Sequence, residues 1–156
     1  MKIHLHPDYM SITAMATINP QMCKDNIIRI EVVQSNEGPN PHVHVYSGSG
    51  KSGKCSYISL TDAKYAEHHG NCPKLTKREK EQFVKIMSAI WSKYWIELYR
   101  LDGFGRRTSE TYAERATGYE AAVQIWCDTY AGSESKFNYD ESGRPIMPDY
   151  SKLETS

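Results

Sequence analysis

No stretch of this 156-residue chain approaches the roughly 18 consecutive apolar residues that a membrane-spanning helix needs, so no membrane partner is expected. Net charge is absent as well. The 19 basic and 19 acidic residues cancel, which leaves no global field to attract nucleic acid and puts any such contact on local patches. The four cysteines, Cys23, Cys55, Cys72 and Cys127, contain no C-x-x-C pair, and the amino terminus lacks the long apolar run of a signal peptide. Reduced thiols and a cytoplasmic location are therefore expected. No internal repeat is present, which excludes a solenoid.

What remains is an ordinary globular composition: 39% hydrophobic, 24% charged, and long enough for one domain over residues 1–156 to bury a core without disulfides. Its densest chemistry lies in Gly38-Pro39-Asn40-Pro41-His42-Val43-His44-Val45-Tyr46. Two prolines hold the approach extended, and the alternation that follows places His42, His44 and Tyr46 on one strand face and Val43 and Val45 on the other. Two imidazoles two residues apart can ligate one metal ion, serve as acid and base about a phosphate, or decorate a solvated face. The residues alone do not choose between these.

Asn26 to Gln34 reads as the neighbouring antiparallel strand, with Ile28, Ile30 and Val32 toward the core and Arg29 and Glu31 sharing the histidine face. Cys55 to Leu60 reads as a third strand, adding Tyr57 to that face and Ile58 and Leu60 to the core. The glycine and serine loop between them has the spacing Gly48-x-x-x-x-Gly53-Lys54, but Cys55 stands where a phosphate loop needs Ser or Thr. A strand, not a helix, follows it, so no nucleotide cofactor is expected. The catalytic set this suggests is His42, His44, Arg29 and Tyr46. If Thr61 to Cys72 were helical, His68 and Cys72 would share a face and join His42 and His44 as zinc ligands. The alternative is that Gly70-Asn71-Cys72-Pro73 is an ordinary turn with a buried free thiol, so no cofactor is expected unless these ligands hold zinc.

Thr76-Lys77-Arg78-Glu79 is a capping box, and the apolar stripe Phe83, Met87, Ile90, Trp91, Tyr94, Trp95 and Leu98 predicts a helix running on to about Tyr99. After Asp102-Gly103-Phe104-Gly105, the stripe Tyr112, Ala116, Tyr119, Val123, Trp126 and Tyr130 predicts a second helix from about Ser109 to Ala131. The expected fold is α+β: an antiparallel sheet of three to five strands packed on one face by two long helices. Residues 1–60 are mainly strands, 76–131 a two-helix hairpin, and 132–156 a docked or partly flexible tail. Lys51, Lys54, Lys77, Arg78, Arg106 and Arg107 are the candidate anion contacts.

The segment Pro41-His42-Val43-His44-Val45-Tyr46, the strand Cys55 to Leu60 and the capped helix toward Trp95 together resemble a bacterial family, the domain of unknown function numbered 4160, over roughly residues 26–98. The chain differs from it at Val43, where an aromatic is usual, and in the second helix and tail. The resemblance implies the setting of a toxin and antitoxin gene pair, with an RNA-directed or partner-binding role. Two expectations follow. One is a small binding or regulatory protein of phage, mobile-element or toxin–antitoxin type that acts through a protein partner. The other is an RNA-directed, nuclease-like enzyme that uses the His42/His44 strand, with or without a metal ion.

Overall fold

A computed structural model describes residues 4–7, 15–24, 26–33, 38–48, 53–66 and 72–156. The class is α+β, as the sequence pattern predicts. Strands β2 (Met15–Thr17), β3 (Ile27–Val33), β4 (His42–Ser47) and β5 (Lys54–Ser59) form a four-stranded antiparallel meander in that order. A second, three-stranded sheet has the order β1 (His4–Pro7), β6 (Ile90–Leu101), β7 (Arg107–Thr117), also antiparallel. Among the described residues the α-helices are α1 (Lys77–Ser88) and α2 (Gly118–Thr129).

The two long helices of the sequence reading are each cut short, and this is the main correction. The first keeps its capping box, with Thr76 accepting from Glu79 N–H and Glu79 accepting from Thr76 N–H, but it stops at Ser88. Ile90-Trp91-Ser92-Lys93-Tyr94-Trp95-Ile96 is rich in aromatic and β-branched residues and continues as strand β6. The carbonyls freed at the end of α1 are met from far away: Asn19 Nδ2 donates to Ile86 O (2.9 Å) and Ala89 O (3.1 Å). The second predicted helix begins as strand β7. Its helical part starts only at Gly118, behind another capping box, Thr117 with Glu120. Asp102 closes the β6–β7 turn by accepting from Phe104 N–H (2.8 Å) and Arg106 N–H (2.9 Å).

A second correction concerns β3. A bulge between Ile27 and Arg29 shifts the register, so Ile27 is buried and Ile28 is exposed, the reverse of the simple alternation. Ile27, Ile30, Val32, Val43, Val45 and Ile58 of the sheet form one apolar cluster with Phe83 and Met87 of α1 and Tyr119, Val123 and Trp126 of α2. The tail docks on this cluster. Phe137, Tyr150 and Leu153 are buried, and Tyr150 donates to Ser59 O (2.7 Å). Both capping glutamates are buried and each takes a cation from another element: Lys54 Nζ lies 2.9 Å from Glu79, and Arg144 bonds Glu120 through Nε (2.6 Å) and Nη2 (2.8 Å).

Candidate active site on the four-stranded sheet

The meander brings the residues of the histidine face together in the register that alternation predicts. Glu31 stands opposite His44, Arg29 opposite Tyr46, His44 opposite Tyr57 and Tyr46 opposite Cys55. The imidazoles of His42 and His44 are stacked, 5.3 Å between centroids and 18° between planes, and Tyr57 meets His44 edge-on at 4.9 Å. This face is not solvated. His42 is 3% exposed and His44 7%, so the reading of a histidine pair on an open surface is set aside.

His42 Nδ1 lies 2.7 Å from Asn40 O. A carbonyl only accepts, so Nδ1 is the donor in this contact. The Asn40-Pro41 approach thus orients the first histidine. Trp126 of α2 packs 5.3 Å from the same ring, and its buried indole N–H has no hydrogen-bond partner.

Arg29 gives the site its charge at the other end. Its Nε lies 2.8 Å from Glu31 Oε1 and its guanidinium sits 3.9 Å over the Tyr46 ring, while its side chain remains 46% exposed. Glu31 is enclosed, and its second oxygen, Oε2, is buried without a hydrogen-bond partner. An orphaned carboxylate oxygen in such a place is costly, and it marks a spot that an additional proton or donor would stabilise. Burial pushes the Tyr46 phenol up, with Cys55 and Glu31 adding to the shift and Arg29 opposing it, so Tyr46 is a donor at neutral pH. Burial likewise raises the Cys55 thiol, which hydrogen bonds to Tyr46 and Tyr57 partly offset.

The site is a row: Trp126, His42, His44, then Tyr46 and Arg29 at the more open end. Of its members, Arg29, His42, His44 and Tyr46 are legible from β-alternation alone. Trp126 and the Asn40 carbonyl are not, because a contact across the tertiary fold and a loop conformation leave no periodic signal.

The other candidate residues do not converge. Among the described residues, no group of three or more His, Cys, Asp or Glu side chains is close enough to hold a metal ion. His68 lies outside the described residues, as does Lys51. Cys72 is not on a helix; its sulfur accepts from Tyr57 N–H (3.2 Å) beside β5. Lys54 is engaged with Glu79 and with Lys74 O (2.9 Å). Lys77 and Arg78 stand exposed on the first turn of α1, away from the hairpin turn where Arg106 pairs with Asp102 and Arg107 lies 3.1 Å over Tyr99.

No protein-family model, curated protein or solved structure matches the chain.

Proposed function

We propose that the histidine face is an acid–base site that cleaves RNA by transfer of a phosphodiester. The observation that carries this reading is the stacked His42/His44 pair, oriented by Asn40 O and continued by Arg29 and Tyr46. A phosphate at the exposed Arg29 end meets a cation and a phenol donor beside His44, and the enclosed histidines reach a ribose once this face opens. One histidine removes the proton of a ribose 2′-hydroxyl as its oxygen bonds to phosphorus. The other returns a proton to the 5′-oxygen as that P–O bond breaks, so the step needs no further reactant. Glu31 stands opposite His44 across the strand pair, and its carboxylate is the negative charge that would support an imidazolium there.

The test is cleavage of a single-stranded RNA oligonucleotide by the purified protein. His42→Ala and His44→Ala are each expected to lower kcat by about 10²–10⁴. Arg29→Ala is expected to raise KM more than it lowers kcat. An inactive parent protein, or histidine variants that cleave as the parent does, would dismiss the reading.

A second reading, a regulatory protein that docks a protein partner, is favoured by β7. It is an edge strand of 11 residues and largely exposed. Among the described residues no broad exposed tyrosine and tryptophan patch is seen: Trp91 and Trp126 are buried, Trp95 is half-buried, and the large exposed apolar side chains are Ile28, Ile90, Phe104 and Ile146. A co-purifying protein that is lost on proline substitution within β7 would favour docking.

A further inference from the structure

A groove of about 460 Å³ lies between α1 and the segment around Pro20–Met22. Its volume falls within the roughly 300–1,000 Å³ of small-molecule sites. Three cations line it, Lys24, Arg78 and Lys85, with one carboxylate, Glu81. Arg78, Glu81 and Lys85 recur at three- and four-residue steps, which puts them on one face of α1. Met22 and Ile86 supply apolar lining.

The wall opposite α1 is fixed in place. Gln82 Nε2 donates to Lys24 O (2.7 Å), and Gln82 Oε1 accepts from Ile27 N–H (3.0 Å). The cations differ from those of the fold that are neutralised by a carboxylate. Arg29, Lys54, Lys74, Arg106 and Arg144 each have a carboxylate partner. None of Lys24, Arg78 and Lys85 forms an ion pair or a side-chain hydrogen bond among the described residues. Three like charges gathered on one depression repel one another. A bound dianion would reverse that balance, and Arg78 offers it a planar fork of donors.

We propose that this groove binds a small hydroxylated phosphomonoester, with its phosphate held by Arg78, Lys85 and Lys24 and a hydroxyl donating to Glu81. The site is independent of the histidine face, which lies on another element.

The experiment is titration calorimetry of the full chain with ribose 5-phosphate, inorganic phosphate and ribose in turn. Ribose 5-phosphate is expected to bind saturably at one site per chain, inorganic phosphate more weakly, and ribose not at all. Arg78→Ala and Lys85→Ala, both at exposed positions and checked for retained helicity by circular dichroism, should each weaken ribose 5-phosphate about tenfold or more, the worth of a charge-assisted hydrogen bond. His44→Ala should bind as the parent does, and Arg78→Ala should leave RNA cleavage unchanged, which separates this site from the catalytic one. Absence of binding by both phosphates at about 10 mM, ten times a millimolar Kd, overturns the proposal. So does binding that the two variants leave intact, or capture of an RNA oligonucleotide by the groove without any binding of the sugar phosphate.

Discussion

Gly118 opens α2, and replacing it with alanine sets two principles against each other. By helix propensity alone, Gly118→Ala should stabilise the chain by up to about 1 kcal/mol. The tertiary fold predicts the opposite sign. A Cβ on Gly118 would stand 2.6 Å from Ile86 O, 2.9 Å from Asn19 Nδ2 and 3.1 Å from Ile18 Cγ2. The first contact is to backbone, and it cannot be relieved by a rotamer change. The end of α1 must move, and with it the two hydrogen bonds from Asn19 that hold the Ile86 and Ala89 carbonyls. Overpacking of this kind costs about 1–3 kcal/mol, and the two hydrogen bonds contribute about 1 kcal/mol each. Against the propensity gain, the net expectation is a loss of about 2–4 kcal/mol, or on the order of 10 °C in Tm for a chain of this size. Gly103→Ala is the control, because a Cβ there meets nothing within 4 Å and no positive φ is required. Urea unfolding of the two variants beside the parent checks the reasoning. A Gly118→Ala protein as stable as Gly103→Ala would refute the close approach of α1 and α2.

Two further outcomes follow from the buried capping glutamates. Arg144→Ala leaves the Glu120 carboxylate enclosed without its bidentate partner, and the expected loss is about 2–3 kcal/mol by chemical denaturation, the Arg144 side chain being 23% exposed. Arg106→Ala, which breaks only the exposed pair with Asp102, should cost under about 1 kcal/mol, and equal effects of the two would contradict the assignment. At Glu79, burial pushes the carboxyl up, but the Thr76 N–H and the Lys54 ammonium pull it further down, so the folded pKa lies below the ordinary glutamate range. Its contribution is therefore present above about pH 4.3 and is lost as pH falls through the folded value. Glu79→Gln should flatten the acid limb of the stability profile, measured by thermal unfolding from neutral to acid pH.

The order of the first half of the chain, its antiparallel pairing and the histidine face were fixed locally. Alternation of apolar and polar side chains in Ile27–Val33, His42–Ser47 and Lys54–Ser59 has a period of two, and that period places each side chain on a face. Even there the bulge at Ile27 exchanged the roles of two isoleucines, because an extra residue leaves no mark in the pattern. The second half was decided by tertiary structure. Ile90, Trp91, Tyr94, Trp95 and Leu98 fit a helical stripe, but the same residues satisfy a strand, and pairing of β6 with both β1 and β7 tips the balance. One local signal did point the right way: Thr117-Gly118-Tyr119-Glu120 is a capping box, and it marks where α2 begins. The burial of the histidines, the orphaned oxygen of Glu31 and the groove beside α1 arise only when distant segments meet. No periodicity in the sequence encodes such meetings, since they depend on which surfaces remain to be covered once the strands and helices have formed.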